Sequence, residues 1–143
     1  MHRKIITVIL FFVFAAFMTV AQAAQEKIDL RSKVWEKAKG EAIIKDLSKE
    51  QKEVNVKVSN LQPNSVYTVW FVNEQPRMDM AGVGAGDFAF RTDDKGNGLY
   101  TANVPASEVD KWDSLEVALH PDGNPRNMEN IQIALKGDIG ESK

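Results

Sequence analysis

The sequence predicts an all-β protein, an antiparallel immunoglobulin-like sandwich of about seven strands that follows an N-terminal signal peptide. Two observations lead to this prediction. From about residue 39, short segments of alternating apolar and polar residues are separated by turn residues at fairly even spacing. Such alternation puts the apolar side chains on one face of each strand, as in a half-buried sheet. Residues 1 to 23 differ, because a charged start is followed there by an unbroken apolar run.

The N-terminal pattern is typical of a secretory signal peptide. Residues 1 to 4 include two basic residues, residues 5 to 20 are the apolar run, and Ala21-Gln22-Ala23 is a small-x-small cleavage sequence. An uncleaved anchor is the alternative, because a run of sixteen residues lies just below the spanning range of about 17 to 25. We expect cleavage near Ala23 and a periplasmic or secreted protein with no stable membrane insertion after cleavage. The predicted organisation is a signal peptide (1–23), an N-terminal lead-in segment (24–40) and a β-sandwich domain (41–143).

The first three predicted strands lead to the centre of the core. Residues 41 to 47 form the first strand, and in the second three valines at 54, 56 and 58 alternate with polar residues. The turn at residues 62 to 65 precedes the third strand, residues 66 to 72, which is apolar on both faces and β-branched or aromatic throughout. This composition predicts a central strand covered on both sides. A second face left uncovered would need a partner, so the oligomeric state stays open.

Four further strands follow a long loop over residues 73 to 86. Phe88 and Phe90 are predicted to point the same way from the fourth strand, and a polar hairpin turn at 93 to 98 leads to the fifth, residues 99 to 104. Residues 105 to 113 cross over, with one helical turn for which Ser107 is the candidate cap. Apolar residues at 115, 117 and 119 and then at 131, 133 and 135 mark the last two strands. In the sixth strand this alternation places His120 on the outward face.

The lead-in segment, residues 24 to 40, is mostly polar around Leu30, Val34 and Trp35. A short helix and an extended lead-in fit it equally well. We expect Trp35 to pack on the edge of the sandwich.

Composition excludes several classes of function. The chain of 143 residues has a formal charge of -2, and loss of residues 1 to 23 leaves 16 basic and 20 acidic residues, or -4. No basic field is therefore available to attract nucleic acid. The absence of cysteine excludes disulfides, cysteine nucleophiles and thiolate metal sites. His120 is the one histidine left after cleavage and lies in no G-x-S-x-G context, so we expect no enzymatic activity.

A copper site is the one metal hypothesis that the sequence offers. Met78, Met80 and Met128 are the only methionines after residue 23, and His120 lies eight residues before Met128. Thioether and imidazole groups are ligands that select Cu(I). These four residues would form a site if the loop at 73 to 86 and the turn at 121 to 128 shared one end of the sandwich. The alternative is that the methionines pack as ordinary apolar side chains.

Several short motifs between residues 54 and 135 resemble a known family. They are a strand with Tyr67-x-x-Trp70, an Ala81-Gly82 pair before a strand, and a strand followed by the turn Pro121-x-Gly123. This succession resembles the extracytoplasmic C-terminal domain of anti-sigma-K-type factors, and the resemblance implies an immunoglobulin-like sandwich. Only four residues precede the apolar run, so the sigma-binding region of that family has no counterpart here and sigma-factor sequestration is not expected.

We therefore expect an exported, non-enzymatic binding or interaction module of the bacterial cell envelope. It would have no cofactor, and it would bind an envelope or extracellular protein, not nucleic acid. The alternative is a periplasmic copper-binding protein with methionine and histidine ligands.

Overall fold

The computed structural model describes residues 24 to 140, and the predicted signal peptide lies outside this range. The described residues form nine strands and one short helix: β1 (Gln25–Arg31), β2 (Lys39–Asp46), β3 (Gln51–Ser59), β4 (Val66–Asn73), β5 (Asp79–Gly82), β6 (Ala89–Arg91), β7 (Gly98–Pro105), α1 (Ala106–Val109), β8 (Ser114–His120) and β9 (Gln132–Asp138). All strand pairs are antiparallel, which confirms the predicted all-β class. Within residues 24 to 140, no helix is long and apolar enough to cross a membrane.

The strands form one curled sheet in the order β5-β4-β8-β9-β1-β2-β3-β7, and β6 pairs with β4 beside β5. A single register pair, Arg31 with Lys136, joins β1 to β9, whereas β2 and β3 pair over eight positions. The sheet therefore divides into a β4 half (β4, β5, β6, β8 and β9) and a β2 half (β1, β2, β3 and β7). Their inner faces enclose one core, so the curled sheet is compatible with a β-sandwich.

The core consists of the inward-facing residues of both halves. Tyr67 and Phe71 of β4 and Leu115 of β8 are fully buried on one side, and Val54 and Val56 of β3 are fully buried on the other. Alternation along each strand explains this arrangement, since residues i and i+2 face the same way. The three valines of β3 lie on one face, as predicted.

Two strands lie in segments for which no strand was marked. β1 lies in the lead-in segment, pairs with β2 over seven positions and buries Ile28 and Leu30, so the extended alternative is the correct one there. β5 lies in the predicted loop at 73 to 86 and pairs with β4. Neither segment has a strong apolar alternation of its own. Each is a strand because backbone hydrogen bonds to a neighbouring strand stabilise it.

The prediction that Phe88 and Phe90 point the same way from one strand is wrong. Phe88 precedes β6, has a φ of 56° and packs edge-on against Trp70, with ring centroids 5.4 Å apart. Phe90 lies in β6 and stacks on Tyr67 in the core. The left-handed backbone at Phe88 thus breaks the strand alternation on which the prediction depended.

The turns agree with the sequence more closely. Asp93 shapes the predicted hairpin turn, since its Oδ1 accepts the backbone N–H groups of Lys95 and Asn97 at 2.9 and 2.8 Å. The predicted helical turn also forms, as α1. Its N-cap residue is Pro105 and no side chain caps it, so the prediction of a Ser107 cap is wrong.

Candidate functional site

The outer face of the β4 half is the second apolar face that the sequence predicts for β4. Thr68 and Val72 are buried on this face, and Trp70 between them is half-buried. The neighbouring strand β8 is buried along its whole length, including Glu116 and His120 on the same outer face. The central strands are therefore covered on both sides, as predicted.

An open depression of about 740 Å³ lies on this outer face, and we call it the apolar groove. Its apolar lining includes Val34, Met78, Met80 and Ile133, whose exposed fractions are 72%, 68%, 37% and 41%. Seven large hydrophobic residues are exposed among residues 24 to 140, and these four lie in one place. Exposed apolar side chains that gather in one patch, unlike scattered ones, indicate a binding surface.

Residues distant in sequence line this groove because β5, β4, β8 and β9 are neighbouring strands of the sheet. Met80 on β5 lies opposite Val72 on β4, and Ile133 on β9 lies opposite Ala118 on β8. Val34 and Met78 come from the loops that follow β1 and precede β5. Three segments that are distant in sequence therefore contribute the four apolar side chains.

Glu116 provides a buried carboxyl group at the groove. The residue is 7% exposed, and its Oε1 lies 3.8 Å from Nζ of Lys136. Burial raises the pKa of Glu116, an effect that Lys136 opposes and that the nearby Glu74 increases. Lys136 also donates a hydrogen bond to Glu74, which lowers the pKa of Glu74 and raises that of Lys136. One ammonium group is thus shared by two carboxyl groups, and a ligand that donates hydrogen bonds to Glu116 would complete this cluster.

His120 lies on the face opposite Leu119, as the alternation predicts, but its ring is not accessible to solvent or to a ligand there. The residue is 1% exposed, because the chain that follows β8 returns over it. Its Nδ1 lies 3.0 Å from the carbonyl oxygen of Asn127 and its Nε2 lies 2.7 Å from Oγ1 of Thr68. A carbonyl oxygen only accepts, so Nδ1 carries a hydrogen, and both ring nitrogens have a hydrogen-bond partner. Thr68 Oγ1 in turn accepts Nε1–H of Trp70 at 2.7 Å.

The structure does not bring the four predicted copper ligands together. His120 lies opposite Val66 of β4, whereas Met80 lies opposite Val72, six residues further along the strand. At about 3.4 Å per residue, these positions are roughly 20 Å apart. Met128 follows His120 in the chain and does not line the groove. Of the four residues, Met78 and Met80 line the groove, and the turn after β8 that carries Met128 lies at the opposite end of β4.

Among residues 24 to 140, no group of three histidine or carboxylate side chains is placed to hold a metal ion. Comparison of the chain with known protein families, with curated proteins and with solved structures gave no match. The strand pairing establishes the fold as an all-β curled sheet. The likeness to anti-sigma-K-type domains stays a prediction from the sequence.

Sequence reasoning missed Glu116, Lys136 and Ile133 as members of one site. Glu116 and Lys136 occupy ordinary polar positions of alternating strands, so nothing local distinguishes them from solvent-facing residues. The predicted alternation groups Ile133 with the buried Leu135, and this is wrong, because the register shifts between Val117 and Ala118 and leaves Ile133 on the outer face. The one available signal was β4, whose two apolar faces predicted that something must lie on its outer side.

Proposed function

We propose that this chain is an exported, non-enzymatic β-sandwich module of the bacterial cell envelope that binds a protein partner in the apolar groove. The observation that carries the proposal is the gathering of Val34, Met78, Met80 and Ile133 in one open depression. The signal-peptide pattern of residues 1 to 23 supports export. The likeness to anti-sigma-K-type domains supports an immunoglobulin-like arrangement of the strands.

A protein segment suits this groove for two reasons. Methionine side chains are flexible and polarizable, so Met78 and Met80 can adapt to the apolar side chains of a partner. Glu116 and Lys136 offer polar contacts beside them, which would fix the orientation of the bound segment.

The burial and hydrogen bonds of His120 support a non-enzymatic function. A general base needs a ring nitrogen within reach of a substrate. Both nitrogens of His120 are instead hydrogen-bonded to Thr68 and Asn127, and the ring is buried. These bonds are those of a structural histidine.

Site-specific photo-crosslinking in cells that produce the protein tests the proposal. A photoreactive residue at position 78 or 133 is expected to give a discrete crosslinked product, and Met80→Asp in the same chain should abolish that product. Position 47 is the matched control, because Leu47 is 48% exposed and does not line the groove. Equal crosslinking from position 47, or a product that survives Met80→Asp, would contradict the proposal.

Copper binding is a second candidate, favoured by one observation: Met78 and Met80 line the same depression. Two thioethers are soft ligands suited to Cu(I). Titration of the purified protein with Cu(I) in competition with a chromogenic chelator tests this candidate. We expect binding to be lost in Met78→Ala/Met80→Ala and kept in His120→Asn, and unchanged binding in the double variant would exclude these two ligands.

A further inference from the structure

β7 is a terminal strand of the curled sheet, and one of its two edges has no neighbouring strand. It pairs only with β3, over eight positions. The N–H of Ala106 donates to the carbonyl oxygen of Glu50 at 2.8 Å, so this pair and every second pair before it are hydrogen-bonded. The intervening residues Leu99, Thr101 and Asn103 therefore direct their N–H and C=O groups away from β3. Within the described part of the chain, no hydrogen bond to another segment engages these backbone groups.

β7 lacks the features that usually protect an edge strand. Such strands are short, carry charged side chains or contain a bulge. β7 has eight residues and a regular register, and none of its residues is charged in a chain of which 27% is charged. Its proline, Pro105, is the last residue and lies beyond the free backbone groups. The inward-facing Tyr100 and Ala102 are only half-buried, so the flank of the core is open at this edge.

The other terminal strand, β5, is protected in two ways. It has only four residues, and it begins with the charged Asp79. The N–H of Val83 donates to the carbonyl oxygen of Val69, so by alternation the N–H of Met80 points away from β4. Oδ1 of Asp79 accepts this N–H at 2.9 Å. The contrast between the two strands identifies β7 as the edge that is available for pairing.

A second copy of β7 fits this edge. In a two-fold arrangement, residues near the axis face their own copies, so a charged residue there would meet a like charge, and β7 has none. Antiparallel pairing centred on Thr101 places Leu99 opposite Asn103 of the second copy, and each opposed pair exchanges two hydrogen bonds. All the free backbone groups named above are then used. On the inner face, the large Tyr100 lies opposite the small Ala102 of the second copy, which avoids a clash where the strands are closest.

We propose that two copies of this chain associate through β7, antiparallel and centred on Thr101, and form one continuous sheet across a two-fold axis. β7 contributes no residue to the apolar groove, so both grooves of the dimer stay open. The proposal is therefore independent of the function proposed for that groove.

Analytical ultracentrifugation of the mature protein over a range of concentrations tests the association. We expect the mass to rise with concentration to twice that of the monomer. Thr101→Pro removes an N–H that the ladder with β3 does not use, and loss of this hydrogen bond in both copies should weaken dimerisation by at least about tenfold. Thr101→Lys, which places like charges opposite each other, should also weaken it and does not depend on tolerance of proline.

The matched control for added charge is Gln132→Lys, at an exposed strand position outside β7. We expect it to dimerise within about twofold of the wild type, since no interface contact changes. Met80→Asp should also dimerise normally, because the apolar groove lies outside the interface. A mass that stays monomeric at millimolar concentration would overturn the proposal. Equal loss in Gln132→Lys and Thr101→Lys would also overturn it, as would a dimer that Met80→Asp abolishes and Thr101→Lys leaves intact.

Disulfide formation tests the register, because the chain contains no cysteine of its own. In Thr101→Cys, the two thiols belong to directly opposed residues with Cα atoms about 5.5 Å apart, within the range of a disulfide. Asn103→Cys is the matched control on the same edge and face, and its two copies would lie about 14 Å apart along the strands. We expect mild oxidation to crosslink only Thr101→Cys. Equal crosslinking of both variants, or of neither, would contradict the proposed pairing. Near-UV circular dichroism verifies that all variants are folded.

Discussion

Replacing Thr68 by valine keeps the shape of the side chain but removes its hydroxyl group, which joins Trp70 to His120. Nε2 of His120 then loses its partner in a position that is 1% exposed. An unsatisfied buried group costs about 1 to 3 kcal/mol, and the half-buried Nε1–H of Trp70 loses a bond that contributes about 1 kcal/mol. We therefore expect Thr68→Val to lower the free energy of unfolding by roughly 2 to 4 kcal/mol.

Urea denaturation followed by tryptophan fluorescence measures this change. Thr68→Ser keeps the hydroxyl group and should cost only about 1 kcal/mol for the lost methyl group. Thr101→Val is the second control, because the exposed hydroxyl of Thr101 bonds only to Asn55 and its loss should change stability by less than about 0.5 kcal/mol. If Thr68→Val matched the stability of the wild type, or Thr68→Ser were equally damaging, the hydrogen-bonded chain would not have the structural role described.

Three other substitutions test the core, a turn and the buried carboxyl group. Burial raises the pKa of Glu116 in the folded protein, so ionisation of this carboxyl group destabilises the fold above that pKa. In urea denaturation, Glu116→Gln should therefore be more stable than the wild type at neutral pH. This difference in stability should fade as the pH falls toward about 4.3, the ordinary pKa of a glutamate. Gly96→Ala should cost more than Gly123→Ala in thermal denaturation, because both have positive φ but only at Gly96 would the new Cβ meet a backbone oxygen, at 2.0 Å; equal costs would contradict this reasoning. Leu115→Ala in the core should cost about 2 to 5 kcal/mol, whereas Leu99→Ala, at a position 67% exposed, should cost less than about 0.5 kcal/mol, as calorimetry can verify.

The extent of successful prediction differs between the fold and the site. The alternation of valines in β3 and the two apolar faces of β4 were sufficient to predict strands and a central position. β1 was not marked as a strand, because its sequence is mostly polar and its strand conformation depends on pairing with β2 over seven positions. Of the predicted ligands, Met78 and Met80 meet in one groove, while His120 lies at the other end of β4.

The sequence by itself determined the all-β class, most of the strands and the polar turn at residues 93 to 98. These are local properties, since side-chain alternation and turn chemistry act within a few residues. Only the tertiary structure decided that His120 is buried under the segment that follows it, that Glu116 meets Lys136, and that the exposed Met78 and Met80 line the same depression as Ile133. Strand register and the return of loops over the sheet decide these contacts, and both depend on hydrogen bonds between residues far apart in the chain.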